Sequence, residues 1–310
     1  MIKKPNEMKF SEKKLIMIIS GTPGVGKTTL GCSASDKVLV IDTDDGLCRV
    51  RPEHRKDASV CTTYEEILAD IKAAEGIYDT IVIDTAGALI DYLKDWAIRN
   101  DPKASKSSGG ISLQGFGVVK QEFLRLSAEL KKKFNVIYLF HEKRENNGDD
   151  IFYSIVCEGS ARELVYQPAD LAAHCFIQNG KRYLGFSPTD QYFAKSAYGI
   201  SGLVEVTDLS NGGKNEFIHN LFGLVRENLQ KEVQELEPKK AAYEKAMDWG
   251  KTVVATIKEP KDVAPALKEI DGMEHALTSK KELLAMVKKV CIDLGITYNK
   301  ATKEYVYANK

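Results

Sequence analysis

Ile16-Met-Ile-Ile-Ser-Gly21-Thr22-Pro23-Gly24-Val25-Gly26-Lys27-Thr28-Thr29-Leu30 is the stretch that decides the fold. Its first residues are a short apolar run that reads as a buried strand, and a helical pattern starts directly behind the glycines. Between the two stands G-x-x-x-x-G-K-T, from Gly21 to Thr28. In that order the three pieces form a phosphate cradle. Glycines let main-chain N–H groups turn inward, and a helix start adds the positive end of its dipole. Lys27 is expected to reach the β- and γ-phosphates of a nucleotide, and the Thr28 hydroxyl to complete a Mg2+ shell. A glycine-rich turn without a ligand is the plain alternative. Agreement of strand, loop and helix favours a nucleotide site built from Gly21, Thr22, Pro23, Gly24, Val25, Gly26, Lys27, Thr28 and Thr29.

Outward from this loop, Lys37–Asp42, Asp79–Asp84 and Asn135–Phe140 are further apolar runs, and helical periodicity fills Tyr64–Glu75, Gly87–Arg99 and Val118–Lys133. Continuous rather than alternating apolar runs indicate parallel strands covered on both faces. The alternation predicts an α/β fold with a doubly wound, mostly parallel sheet, its ligand at the carboxyl ends of the strands. Later strands near Ala173–Ile177, Arg182–Phe186 and Gln191–Lys195 would extend it. Three polar stretches interrupt the pattern: Asn100–Gly110, Glu145–Asp150 and Leu209–Lys214, the last reading as a hinge or hairpin turn.

From Glu216 onward the sequence is helical. Ile218, Leu221, Phe222, Val225, Leu229 and Val233 form one stripe, expected to end at Glu237-Pro238. Ser279-x-x-Glu282 is a capping-box candidate for a helix over Lys280–Leu294 that Gly295 closes. The chain thus divides into a nucleotide-binding core, 1–215, and a helical C-terminal appendage, 216–310.

The 44 basic and 44 acidic residues balance, so no global field marks nucleic acid or membrane, and a DNA-binding surface would have to be local. Residues 226–310 carry 16 basic and 14 acidic side chains, so the tail is no electrostatic arm. Six cysteines without a C-x-x-C pair read as thiols of a reducing compartment. The polar start, Met1-Ile-Lys-Lys-Pro-Asn-Glu, lacks a signal-peptide core, and no apolar stretch approaches membrane-spanning length, so a cytoplasmic protein is expected.

Asp84 ends an apolar strand and is a candidate Mg2+ ligand completing the phosphate site. Asp42-Thr43-Asp44-Asp45 caps the strand after the glycine loop. Asp44 should clear the strand end and polarise the attacking water, while Asp42 can face the metal shell instead. A plain cluster of acidic turn residues is the competing reading. His141-Glu142-Lys143-Arg144 ends the fourth run, where polar groups would sit beside a γ-phosphate. A capping or core histidine and a solvated basic loop are the alternatives.

The glycine loop, the strand ending Ile-Asp-Thr-Asp44, Thr80-Ile-Val-Ile-Asp84-Thr-Ala-Gly-Ala-Leu89 and the polar end of the fourth strand resemble RecA-type ATPases in order and spacing. The short interval from Lys27 to Asp42, the segment Ile111-Ser-Leu-Gln-Gly-Phe-Gly and Phe140-His-Glu-Lys143 look like the short, phage-encoded RecA-like ATPases associated with single-strand annealing and recombination. The likeness covers roughly residues 14–200. It implies a RecA-like P-loop NTPase fold, with ATP and Mg2+ as ligands. It puts Asp44 in the place of the catalytic glutamate and Glu142 in that of the γ-phosphate-sensing glutamine, both differing from the RecA residue. It further implies single-stranded DNA contact through loops near Asn100–Gly110 and Glu145–Ser160, with Lys103 and Lys106 on phosphates and Tyr153 stacked on a base. Finally it implies a homo-oligomer, ring or filament, in which Lys195 reaches a nucleotide held by the neighbouring subunit.

The leading expectation is therefore an ATP-binding, Mg2+-dependent ATPase acting on single-stranded DNA in the host cytoplasm, its appendage either a helical lid or a docking module for a single-strand-binding or replication protein. A ParA-type partition ATPase would carry an extra lysine where Thr22 stands. An AAA+ remodelling or loading ATPase would place a glutamate at Thr85. A small-molecule kinase would need an acceptor pocket and a basic lid. A nucleotide-holding scaffold would follow from the departures at Asp44 and Glu142.

Overall fold

The computed structural model describes residues 10–147, 150–157, 165–209 and 213–308. They divide into two compact units, one spanning Phe10–Asn228 and one containing the chain from Leu229 onward.

The first unit is built on a nine-stranded sheet. β1 (Ile16–Gly21), β2 (Val38–Asp42), β3 (Asp57–Val60), β4 (Thr80–Asp84), β5 (Asn135–Asn147), β6 (Asp150–Ile155), β7 (Leu171–Gln178), β8 (Lys181–Gly185) and β9 (Leu203–Glu205) are its strands. They run in the order β3-β2-β4-β5-β1-β7-β8-β9, with β6 paired to β5 outside that path. From β3 to β7 every pairing is parallel, and β7–β8, β8–β9 and β5–β6 are antiparallel. Strand alternation sends Ile16, Ile18, Ile81, Ile83, Val136 and Tyr138 into one buried cluster. That cluster is completed by α2 (Tyr64–Ala73), α3 (Ala86–Asn100) and α4 (Leu113–Lys131). The opposite face receives α1 (Lys27–Gly31), where a Cβ on Gly31 would come within 2.9 Å of Val82. Each fully buried Ile or Leu contributes roughly 1.5–3 kcal/mol, so the two covered faces hold the strand ends rigidly. α2 is started by a reciprocal cap: Thr63 Oγ1 accepts from Glu66 N–H, and Glu66 Oε2 accepts from Thr63 N–H.

Several elements differ from expectation. The fourth strand does not stop at Phe140 but runs on as a ribbon, with Arg144 opposite Tyr153 and Glu142 opposite Ile155. Main-chain pairing, not apolar burial, sustains it, so hydrophobicity could not mark its length. Residues 148–149 of the polar stretch Glu145–Asp150, the end of the second expected DNA loop, 158–160, and the middle of the expected hinge, 210–212, lie outside the described residues. No strand forms over 191–195. Thr189 Oγ1 takes the N–H groups of Gln191 and Tyr192, leaving single bridges from Tyr192 to Tyr153 and from Lys195 to Ala172. α4 begins inside the glycine-containing segment, capped by Ser112, whose Oγ accepts from Gly115 N–H at 3.0 Å. Gly115 is needed there, since a Cβ would stand 2.6 Å from the Ala104 carbonyl oxygen.

α5 (Phe217–Ala255) starts in the first unit, where Ile218, Leu221, Phe222 and Val225 are buried, and it continues through Pro238. The strong helix formers on both sides of Pro238 carry the helix past the missing N–H. The second unit adds α6 (Pro260–Asp271), α7 (Ser279–Asp293) and a hairpin of β10 (Ile296–Asn299) and β11 (Glu304–Tyr307). Val254, Ile257, Val263, Ile270, Leu283 and Val287 form its core. The expected capping box at Ser279 is not made: Thr278 is the N-cap and its hydroxyl bonds Glu282, while Ser279 Oγ accepts from Ala276 N–H at 3.2 Å. Among the described residues no helix is long and apolar enough to cross a membrane.

Candidate functional site

The parallel register brings together the carboxyl ends of four strands. Gly21 of β1 is level with His141 of β5, and Asp42 of β2 with Asp84 of β4. Behind β1 the chain wraps into a loop whose Gly24 and Gly26 take φ of 79° and 94°, the left-handed region that a Cβ disfavours. No side chain caps the start of α1 at Gly26, so its first N–H groups remain available to an anion. Arg182 of β8 braces the loop from outside, its Nε donating to the Val25 carbonyl at 2.6 Å.

Lys27 fills the loop's centre. Its ammonium donates to the carbonyls of Gly21 at 2.9 Å and Thr22 at 3.0 Å and lies 3.3 Å from His141 Nδ1. Burial lowers its pKa, and the nearby Asp84 carboxylate opposes that shift. Thr28 Oγ1 donates to Asp84 Oδ2 at 2.6 Å. Burial pushes the Asp84 carboxyl up to about 6, with Asp44 and Asp42 adding to the rise, while the Thr28 bond and Lys27 pull it down. Thr43 ties the acidic turn to the end of β4. Its N–H donates to the Asp84 carbonyl at 2.7 Å, and its hydroxyl both accepts from Thr85 N–H and donates to the Thr85 carbonyl.

Within that turn the aspartates divide their tasks. Asp42, expected in the metal shell, is buried and accepts the N–H groups of Asp44, Gly46 and Leu47 at 3.3, 2.9 and 2.9 Å. Its carboxylate shapes the turn, and the metal-ligand expectation is corrected accordingly. Asp44 does line the nucleotide pocket. Its Oδ2 lies 3.7 Å from His141 Nε2, while Oδ1 is buried without a hydrogen-bond partner.

His141 projects into the same pocket. Burial and the Lys27 ammonium lower its pKa, and Asp44 opposes them. Glu142, the next residue, must point the other way on a pleated strand. It is buried and bonded through Oε1 to His174 Nδ1 at 3.0 Å, both side chains nearly inaccessible. The group facing the pocket is thus His141, and Glu142, expected in the γ-phosphate-sensing place, is corrected to a buried partner of His174.

The pocket itself encloses about 140 Å³ between the glycine loop, Asp84, Asp44, His141 and a residue that no motif flagged, Arg49. Arg49 is brought in by the short 3-10 turn Leu47–Arg49 behind Gly46. A Cβ on Gly46 would meet Asp44 Oδ1 at 2.7 Å, so the glycine directly behind Asp44-Asp45 was the available signal. Arg182 had none. These residues fit a magnesium nucleotide: a left-handed glycine cradle, an uncapped helix start, a central ammonium and the oxygen donors Thr28 and Asp84 suited to a hard cation. Among the described residues no group of three or more His, Cys, Asp or Glu side chains could hold a metal alone. Mg2+ characteristically takes one or two protein oxygens, with phosphate oxygens and waters completing its shell.

The remaining expected site residues lie elsewhere. Lys195 donates to the carbonyls of Tyr166 at 3.2 Å and Gln167 at 3.5 Å, so its ammonium is engaged within its own chain rather than held out to a neighbour. Lys103 and Lys106 are exposed on a turn closed by the bridge Ser105–Ile111 and the Lys106 N–H to Gly110 carbonyl bond. Tyr153 sits on β6 and, with Thr22 to Val25, borders a second cavity beside the glycine loop.

A family model described as an AAA domain (AAA_24) matches residues 13–198. No curated protein matches the chain. Among solved structures, a prototypical ATPase from the type III secretion system of pathogenic bacteria is similar at 14% identity with a TM-score of 0.36, over 52% of this chain and 51% of that one. The chain thus spans about half the length of that ATPase.

Proposed function

This chain belongs to the AAA domain family, and on that premise we propose that it is a Mg2+-dependent ATPase with a RecA-like core that acts on single-stranded DNA in recombination or strand annealing. The observation that carries the ATPase reading is the convergence of Lys27, Thr28, Asp84, Asp44 and His141 on one pocket at the strand ends. Gly21–Thr29 hold the triphosphate through main-chain N–H groups, and Lys27 exchanges its two carbonyl bonds for phosphate oxygens. Thr28 and Asp84 are the protein oxygens for Mg2+, which when bound offsets charge on the transferring phosphoryl group. Asp44 orients the attacking water through the carboxylate it presents to the pocket. His141, kept neutral by burial and Lys27, and Arg49, on the pocket's outer wall, supply donors for the developing charge.

The single-stranded DNA reading draws on the RecA-type likeness and on the β5–β6 ribbon, which leads from His141 to the exposed Lys143 and Arg144. Oligomerisation with ATP at subunit interfaces and docking of a replication protein on the C-terminal unit belong to the same proposal. A remodelling or loading ATPase is the second reading, favoured by the AAA description of the family despite Thr85 standing where a glutamate was expected. ATP turnover with and without single-stranded DNA, together with size-exclusion behaviour in ATP, separates them. DNA-stimulated turnover with assembly supports recombination. Turnover indifferent to DNA supports remodelling.

A further inference from the structure

The cavity of about 530 Å³ beside the glycine loop is larger than the nucleotide pocket and lies in the ~300–1,000 Å³ range of small-molecule sites. One wall is Thr22 to Val25, the first half of the loop, and the other is aromatic: Tyr153, His174, Phe176 and Tyr192. His174 stacks on Tyr192 at 4.3 Å and on Phe176 at 5.3 Å, both at 20°, and Tyr153 lies 5.3 Å from His174. His174 is pinned from behind by its bond to Glu142 and cannot turn away. His174 and Tyr192 are buried within this array, while Tyr153 and Phe176 are only half-buried and present ring surface to the cavity. At the rim stand the exposed amides of Gln178 and Gln191. Arg144 is exposed and directly opposite Tyr153 in the β5–β6 ladder, so both side chains share one face of the ribbon.

Flat rings, amide hydrogen-bonding groups and one adjacent guanidinium match a particular chemistry: a heteroaromatic base joined to a phosphate. We propose that this cleft takes one unpaired nucleobase of a single-stranded nucleic acid, stacked on Tyr153 and Phe176, with its phosphate at Arg144. The inference rests on the single-stranded DNA reading above and gives it a place. It puts the base not on the Lys103–Lys106 turn but against the glycine loop. The residues Thr22 to Val25 would then stand between the base and the triphosphate, and any effect of one ligand on the other's affinity is reciprocal. The adenine of ATP is the other source of a nucleobase. Gly26 and Thr29 open onto a separate recess with Arg182 and Asn215, whose Nδ2 donates to the Thr29 carbonyl at 2.8 Å.

Fluorescence anisotropy of labelled single-stranded DNA and RNA oligonucleotides, measured in parallel with a fluorescent ATP analogue, tests this on the full chain. Tyr153→Ala and Phe176→Ala should each weaken oligonucleotide binding about 5- to 150-fold, the loss expected for one stacked base. Affinity for the analogue without nucleic acid should stay as in the wild type. Tyr153→Leu and Phe176→Leu, which keep volume but remove the ring face, should give the same loss with an unchanged melting temperature. Whether DNA or RNA binds more tightly identifies the strand. Oligonucleotide binding that survives all four substitutions overturns the cleft and leaves the DNA reading standing. Lost analogue binding with intact oligonucleotide binding makes the cleft the adenine pocket and overturns the inference. A wild-type chain that binds no oligonucleotide overturns both the cleft and the DNA reading, and leaves ATP binding untouched.

Discussion

The Thr28 hydroxyl donates a 2.6 Å hydrogen bond to Oδ2 of Asp84, joining residues 56 positions apart at the mouth of the phosphate loop. In the proposed function both side chains are Mg2+ ligands, and the bond fixes their spacing in the ligand-free chain. The same bond only partly offsets what burial does to the carboxylate.

That tension has a pH signature. The Asp84 pKa rises from 3.8 to about 6, so the folded, ligand-free protein retains a proton that the unfolded chain has already released. This group's contribution to stability therefore falls as pH rises from about 4 towards 6, and the full penalty persists above that window. At 1.36 kcal/mol per pK unit the penalty is about 3 kcal/mol. Asp84→Asn should raise the melting temperature of the ligand-free protein near neutral pH while Mg2+-dependent turnover falls about 10²-fold or more. Thermal melts across pH with and without the substitution check it. A melting temperature that drops on substitution would show that the carboxylate is not strained.

Gly24 and Gly26 share a left-handed backbone but not their surroundings. A Cβ on Gly24 meets nothing within 4 Å, whereas one on Gly26 would stand 3.0 Å from the Arg182 guanidinium. Gly24→Ala should cost only the backbone term, about 1–3 kcal/mol. Gly26→Ala should cost at least as much in denaturant unfolding and also weaken ATP binding, because the Arg182 guanidinium must shift by a few tenths of an ångström against its bond to the Val25 carbonyl.

Arg49 should act on the transition state. Arg49→Ala is expected to slow turnover about 10²- to 10³-fold, the usual cost of one transition-state donor, with ADP affinity unchanged. Single-turnover kinetics beside ADP titration decides it. Parallel losses in ADP affinity and turnover would make Arg49 a ground-state contact instead.

His141 and Glu142 should separate function from stability. His141→Ala is expected to lower turnover while leaving the melting temperature nearly unchanged. Glu142→Leu leaves His174 buried without its acceptor, at a cost of about 1–3 kcal/mol, and should leave turnover within a few-fold of the wild type. The reverse pattern would restore Glu142 to the sensing place.

Much of this was legible in the sequence, because strands covered on both faces must be apolar throughout and a phosphate cradle must be glycine. The glycine loop and the strand ends carrying Asp84, Asp44 and His141 followed from that logic, and the fold brings these side chains to one pocket. Glu142 did not, since a one-residue step on a strand reverses the side chain and the strand's register is not written in its composition. The β5–β6 ribbon was missed because its polar residues are held by main-chain bonds. Pro238 looked like a stop and is not one. Arg49 and Arg182 became visible only when the fold carried them to the loop, Arg49 from a turn behind Gly46 and Arg182 from a strand more than 150 residues away.

Isothermal titration with ATP in magnesium buffer addresses the central claim most directly, run on the wild-type chain and on Lys27→Ala after both are shown to be folded by circular dichroism. A saturating heat for the wild type, lost in Lys27→Ala, is the predicted result. A folded wild-type protein that releases no heat with ATP, or a Lys27→Ala variant that binds as well as the wild type, would contradict it.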